Sequence, residues 1–395
     1  MQKNRCVLAI NGGSSSIKFA LYEKADVLVE LLSGAIDNIG SEKAGLSFTK
    51  ANDAAENNIA IDASSHGKAV EHLKACLDKH VDFDLVVAIG HRIVHGMSHI
   101  EPELITDDLI MELKKISSID PEHLHGQIAL IEMFKKWYPA LQQVTCFDTS
   151  FHTTMPVVAK LLAIPRTYYK KGVQRYGFHG LSYAFLMEEL HRICGETSKT
   201  EKIILAHLGS GASLAAVKNG KSIDTSMGFT PTSGLPMGTR TGDLDPGVVS
   251  YLMEHEKLDA KAFNDTVIHK SGLLGISETN SNMKSLIELE DLDYRAKEAI
   301  EFFCYQTKKW IGSFAAALGG LETLVFSGGI GERSPEVRAK ICDGLAFLGI
   351  ELDDNKNHAN ELIISKVSGR VKVYVIKTKE ELMIAKLVRS YLNTH

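Results

Sequence analysis

Apolar runs separated by short polar tips organise this chain. Val7–Ile10 reads as a strand, Asn11-Gly-Gly-Ser-Ser-Ser16 as a small-residue tip, and Ile17–Leu21 as a second strand interrupted only by Lys18. No helical spacing follows, so residues 5–11 and 17–23 are expected to form a hairpin. A related pattern returns far downstream, where Ile203–Ala206 leads through His207-Leu-Gly-Ser-Gly211 into Ala212–Val217. Two such hairpins, one in each half, predict a duplicated pair of domains that grips a phosphate chain from both sides. Backbone N–H groups and hydroxyls approach anionic oxygens closely where little side chain intervenes.

The remaining pattern is α/β throughout. Val70–Lys79, Asp107–Ile116 and Gln127–Trp137 have helical spacing, and Leu85–Ile89 and Val144–Phe147 read as strands. In the second half, strands are expected near 203–207, 213–218 and 323–327, with helices near 293–318 and 334–347. Asp353–Asn360 reads as a polar connector, Val371–Ile376 as a last strand and Glu380–Leu392 as a last helix. A cut near 148–152 gives domains 1–150 and 151–379, with the C-terminal helix 380–395 expected to fold back and complete the first.

Composition narrows the classes. At 395 residues, 44% apolar and 24% charged, the chain suits a soluble two-domain protein. A net charge of −5 gives no reason to expect nucleic acid or an anionic membrane as partner. No apolar run reaches membrane-span length, and Met1–Arg5 leads straight into a strand, so neither a membrane segment nor a signal peptide is expected. The six cysteines (6, 76, 146, 194, 304 and 342) are scattered without a CxxC pair, which suggests reduced thiols in the cytoplasm.

Several polar clusters end strand-like runs, where open α/β sheets bind ligands. They are Asn11 to Lys18, His207 to Gly211, and Ser327-Gly-Gly-Ile-Gly331-Glu-Arg333. The last is read as a glycine-rich turn before a helix that starts at Ser334-Pro335, with Ser as N-cap and Pro in the first turn. Taken singly, a Gly-Ser tip is often only a turn and a strand-end histidine often structural. It is not a P-loop: the only Gly-Lys-Ser, at 220–222, has Ala215 where that motif needs glycine. The charged candidates are Gly90-His-Arg92-Ile-Val94-His95-Gly96, Phe147-Asp148-Thr-Ser-Phe-His152, Arg175-Tyr-Gly-Phe-His179, Gly238-Thr-Arg240-Thr-Gly-Asp243-Leu-Asp245 and Thr378-Lys-Glu380-Glu381. Arginines among glycines, as at 92 and 240, suit carboxylates and phosphates because two parallel N–H donors meet two oxygens. Phosphate-gripping tips, arginines, a histidine and metal-binding carboxylates together point to phosphoryl transfer.

In order and over nearly the whole chain, these motifs resemble the acetate and butyrate kinase family of the actin-like phosphotransferases. The resemblance implies two duplicated actin-like (ribonuclease H-like) α/β domains with a cleft between them. It also implies a homodimer, Mg²⁺ (or Mn²⁺), and reversible transfer of the ATP γ-phosphoryl group to a short-chain carboxylate, acetate first, giving an acyl phosphate and ADP. By matching position, Asn11 and Arg92 would hold the acyl phosphate and Arg240 the transferring phosphoryl group. His179 would donate to that group as it flattens, and Asp148 would orient the substrate. Val94, His123, Phe178 and Pro231 would line the acid, and Asn11 and Glu380 would serve the metal. Nucleotide contacts would come from Ser16, Lys18, His207, Gly209, Ser210, Gly211, Asn282, Met283, Lys284, Gly328, Gly329, Ile330, Gly331 and Arg333.

The chain departs from the family pattern at identifiable places. Glu122, in Pro121-Glu-His123-Leu-His125, stands where the family has an apolar residue, so either Glu122 turns outward or the acid is not simply acetate. Asn282, Lys284 and Arg333 replace Asp, Arg and Asn, which leaves pyrophosphate open as an alternative donor. Ser210 replaces Asn, and Tyr183 replaces a histidine at a position taken as structural. Kinases of propionate or butyrate are the near alternatives. A non-catalytic ATP-binding or chaperone-like module is the alternative of another class, since fold does not fix function.

Overall fold

The computed structural model describes residues 5–25, 27–51, 53, 56–196 and 201–395; the expectation placed on Met1–Asn4 lies outside them. The chain divides into two compact units. One runs up to Ser150 and includes Lys379–His395, and the other is Phe151–Thr378.

The first unit contains β1 (Cys6–Gly12), β2 (Ile17–Glu23), β3 (Val29–Asp37), β4 (Gly45–Lys50), β5 (Glu56–Ala60), β6 (Val86–Ile93), β7 (Glu103–Leu104) and β8 (Gln142–Phe147). They form one sheet in the order β5-β4-β3-β2-β1-β6-β8-β7. The second unit contains β9 (Lys202–Leu208), β10 (Ala212–Lys218), β11 (Lys221–Thr225), β12 (Thr323–Ser327) and β13 (Lys372–Val375), in the order β11-β10-β9-β12-β13. The inner five strands of the first sheet and the whole of the second share one topology. Three antiparallel strands (β3-β2-β1 and β11-β10-β9) continue into two parallel ones (β6-β8 and β12-β13). The duplication suggested by the two hairpins is therefore present in the backbone.

Burial explains the apolar runs. Every residue of β1 is buried, as expected of a central strand covered on both faces. Leu8 and Ile10 join Leu73, Leu77, Leu130 and Phe134 from the helices His66–His80 and Pro121–Trp137 in one core. Each such buried Leu or Ile contributes about 1.5–3 kcal/mol. On the other face lies the C-terminal helix Glu380–Thr394, packed against β1, β2, β6 and β8. It comes so close at Gly90 that a Cβ there would stand 2.4 Å from Ile384 Cγ2 and 2.6 Å from Val388 Cγ2. This glycine in the Gly90-His-Arg motif thus serves packing, which in turn fixes where the helix N-terminus falls.

Three sequence expectations need correction. Gly328–Arg333 is a short helix rather than a turn, and the following helix, Pro335–Cys342, stops five residues before 347. Ser334 occupies its N-cap without a side-chain capping bond. The polar connector 353–360 contains a helix, Asp354–His358, capped by Asp353 accepting from the Lys356 N–H. β3, β4, β5, β7 and β11 have no counterpart in the sequence reading. No helix among the described residues is long and apolar enough to cross a membrane.

Candidate active site

In the first unit, the ends of β1, β6 and β8 and the start of the C-terminal helix bring four predicted residues together. Arg92 donates from Nε (3.0 Å) and Nη2 (2.5 Å) to Asp148 Oδ2, and from Nη1 to Asn11 Oδ1 at 3.0 Å. The Asp148 side chain is only 1% exposed and that of Arg92 14%. Burial works against the Arg92 charge, but facing Asp148 and Glu380, with Glu381 behind them, more than offsets it and raises its pKa above the ordinary value. Asn11 then turns its amide nitrogen to both Glu380 Oε2 and Glu381 Oε1, each at 2.8 Å. The choice of Glu380 over Glu381 by sequence is thus not reproduced as a difference in geometry.

Around this network the acid-side candidates fall on nearby elements. Val94 is buried just beyond β6, and His123, one turn into the helix Pro121–Trp137, holds its Nδ1 2.9 Å from Asp120 Oδ1. Glu122, half-buried, occupies that helix's first turn, where a carboxylate is favoured by the unpaired N–H groups and the dipole. Lys18 is exposed and faces Asn11 across the β1–β2 ladder; Ser16 closes the tip, its carbonyl accepting from Gly13 N at 2.8 Å. Sequence reasoning missed Gln127. This buried side chain accepts from the Val94 N–H at 3.0 Å and donates to the Gly12 carbonyl at 2.8 Å, tying hairpin tip, β6 end and helix together. Its only signal is a polar residue one turn after His123 on an otherwise apolar helix face.

The second unit gathers the other group. His179 is the N-cap of the helix Gly180–Cys194 and sits in the left-handed region at φ 58°, which costs roughly 1–3 kcal/mol and is held by its surroundings. Its ring stacks on His207 with centroids 4.3 Å apart. A methyl group placed on Gly211 would stand 3.2 Å from His179 Nε2 and 3.9 Å from Arg240 Nη1, so both nitrogens lie against the β9–β10 tip. Arg240 is steadied by the Pro231 carbonyl, which accepts from Nη1 at 3.0 Å. Gly238 N donates to Ser210 O at 3.1 Å, and a Cβ on Gly209 would stand 3.7 Å from Gly329 N. Tip, arginine loop and glycine helix are therefore neighbours. Gly328 has φ 74° and its Cβ position lies 2.7 Å from the Leu208 carbonyl, so only glycine fits.

Other candidates have plainer places. Phe178 and Met283 are buried, Ile330 is half-buried, and Lys284, Gly329 and Arg333 are exposed. Asn282 Oδ1 caps the helix Met283–Leu289, accepting from Lys284 N at 2.9 Å. Arg175 donates from Nη1 to the carbonyls of Thr225, Ser226 and Met227, which makes it a backbone clamp. Two supports of the glycine helix carried no sequence signal. Glu332 Oε1 accepts from Gly328 N at 3.0 Å, and buried Arg338 donates from Nη1 to the Gly331 carbonyl at 2.9 Å. Burial pulls the Arg338 pKa down to about 10.

The acetokinase family model matches residues 6–386. This chain belongs to the acetokinase family. Among its acetokinase relatives, the acetate kinase of Treponema denticola is 42% identical over 96% of this chain and 98% of the relative, and that of Methylocella silvestris 39% identical over 97% of each. The crystal structure of Porphyromonas gingivalis acetate kinase superposes with a TM-score of 0.85 at 36% identity, covering 98% of this chain and 100% of that one. A propionate kinase from Francisella tularensis gives 0.88 at 36% identity over 97% and 98%.

Proposed function

We propose that this chain is an acetate kinase, moving the γ-phosphoryl group of ATP reversibly to acetate to give acetyl phosphate and ADP by direct in-line displacement. The observation that carries this reading is the buried Asn11–Arg92–Asp148 network beside Glu380 and Glu381 in an acetokinase. Acetate attacks as an anion: one carboxylate oxygen bonds to the γ-phosphorus while the bond to the ADP oxygen breaks and ADP leaves with the electron pair. No proton has to be removed, so the protein must supply alignment and charge neutralisation rather than a general base. Asp148, already engaged by Arg92, fits an orienting role better than proton abstraction.

In this reading Arg92 and Asn11 hold the acyl-phosphate oxygens, with Val94 and His123 beside the acid. Arg240 and the Nε2 of His179 meet the transferring group, with Phe178 and Pro231 as the second unit's wall residues. Such donors raise turnover only as far as they fit the flattened phosphoryl group better than the ground state. Ser16, Lys18, His207, the 209–211 tip, residues 282–284 and the Gly328–Arg333 helix are assigned to the nucleotide. Among the described residues no three His, Cys, Asp or Glu side chains form a ready cage for a metal. Mg²⁺ is commonly held by one or two carboxylates with water and substrate phosphates, and the hard oxygens of Glu380 and Glu381 suit it. The ion would neutralise phosphate charge. A cytoplasmic homodimer completes the reading.

The test supplies acetyl phosphate, ADP and Mg²⁺ to the purified protein and detects ATP. Parallel arms replace acetate by propionate, butyrate or a hydroxy acid, and ATP by pyrophosphate. Folded protein that forms no ATP or pyrophosphate with any acyl phosphate would overturn the reading. ATP hydrolysis without transfer to an acid would support the ATPase or chaperone-like alternative.

A further inference from the structure

The stacked pair His179 and His207 is braced crosswise. His179, on the helix Gly180–Cys194, meets Ser213 Oγ of β10 through Nδ1 at 2.8 Å, and His207, on β9, meets Ser182 Oγ of that helix through Nδ1, also at 2.8 Å. Ser213 is the cross-strand partner of His207, and Ser182 lies in the first turn after His179, so His207 is bonded to the helix that His179 caps and His179 to the strand residue paired with His207. Behind Ser213 stands Tyr183, fully buried, with its Oη 2.5 Å from Ser213 Oγ. The phenol, the serine hydroxyl and the imidazole thus form a chain inside the second unit, ending at the ring whose Nε2 lies against Gly211 beside Arg240.

We infer that Tyr183 and Ser213 are positioning residues that fix His179 as the neutral tautomer carrying its proton on Nε2. The phenol donates to Ser213 Oγ, Ser213 donates to Nδ1, and Nε2–H is left as the donor. In a hydroxyl chain each bond polarises the next, and the partner of one ring nitrogen decides which nitrogen holds the proton. A neutral Nε2–H suits this place because an imidazolium would face both the stacked His207 ring and the Arg240 guanidinium. This makes Tyr183 part of the histidine's support rather than a merely structural replacement. The inference rests on the reading of His179 as a donor to the phosphoryl group.

The experiment uses the full chain with Mg²⁺ and ¹⁵N-labelled histidine. Long-range ¹H–¹⁵N spectra report the tautomer of each ring, His179→Gln assigns the His179 signals, and turnover is measured with acetyl phosphate and ADP. The wild type is expected to show His179 protonated on Nε2 alone. Tyr183→Phe is expected to shift it towards a mixture of tautomers and to lower kcat about tenfold, the worth of one neutral hydrogen bond. KM values should stay within about twofold, since the loss falls on the transition state. Ser213→Ala should give a stronger shift of the same sign. A wild-type ring protonated on Nδ1, or an unchanged tautomer and kcat in Tyr183→Phe, would overturn the inference. Should Tyr183→Phe fail to fold, the wild-type spectrum and Ser213→Ala still decide it. Full turnover in His179→Gln would instead remove the underlying role of His179, whatever its tautomer.

Discussion

Arg92 meets Asp148 at two nitrogens and Asn11 at a third while burial works against its charge. Breaking a buried pair from one side is costly because it strands the other charge. Arg92→Ala is therefore expected to lower stability by roughly 3–5 kcal/mol as well as abolish phosphoryl transfer. Adding Asp148→Asn should recover part of the stability and none of the activity, a separation that denaturant melts and the ATP-forming assay would show. If the double variant were no more stable than the single, the pair would not be the source of the cost. Arg240 differs, since the partners of its Nη1 include a neutral carbonyl, that of Pro231, and the Met237 thioether. Arg240→Ala should leave the fold intact and reduce turnover roughly 10³–10⁵-fold, by analogy with arginine fingers. Near-normal kcat in the folded variant would take Arg240 out of the mechanism.

At the scale of elements, the C-terminal helix sits where Gly90 allows it, and Glu380 and Glu381 stand in its first turn. Gly90→Ala forces a Cβ onto Ile384 and Val388, an overpacking that costs roughly 1–3 kcal/mol. Because the displaced helix carries both carboxylates, the Mg²⁺ concentration giving half-maximal turnover should rise along with the loss in melting temperature. A variant that melts lower with unchanged Mg²⁺ dependence would separate packing from the site. The same region shows what the sequence could and could not convey. The hairpins β1–β2 and β9–β10 were legible because continuous apolar runs and small tips are local signals. The half-exposed strand β3 was not, since Val29–Asp37 has only two buried positions among nine and no run to mark it. Gly328–Arg333 reads as a turn from its glycines, yet Glu332 on Gly328 N and Arg338 on the Gly331 carbonyl hold it helical, and these are contacts made after folding. Gln127 and Ser213 escaped notice for the same reason: each is an unremarkable polar residue until its partners arrive from distant segments.

For the whole molecule, acid sensitivity is written into both units. Buried His91, next to Arg92 and edge-on to Phe134, has its pKa pushed down to about 4 by burial. Buried His152 in the second unit is likewise lowered to about 4 by burial, with the Phe178 carbonyl acting the other way. The His152 ring is fixed neutral: Nε2–H donates to Phe178 O at 3.0 Å and Nδ1 accepts from Ser222 Oγ at 2.9 Å. An ordinary histidine takes up its proton near pH 6.5, so between that pH and about 4 the unfolded chain binds protons that the folded chain refuses. Stability contributed by these two rings is complete above pH 6.5 and falls as pH drops through the window. Each ring approaches a slope of about 1.4 kcal/mol per pH unit. His91→Gln and His152→Gln remove one such proton each. Denaturant unfolding at pH 7, 6 and 5 should therefore show a shallower loss of stability in either variant than in the wild type, even where the variant is less stable at pH 7. Parallel curves for wild type and both variants would place the acid sensitivity elsewhere, in the carboxylates. The candidate groups of each unit share in this loss, because His91 adjoins Arg92 on β6 in the first and His152 holds the backbone of Phe178, the residue before His179, in the second. Activity after brief exposure to pH 5 should accordingly fall in step with the folded fraction and return with it on neutralisation.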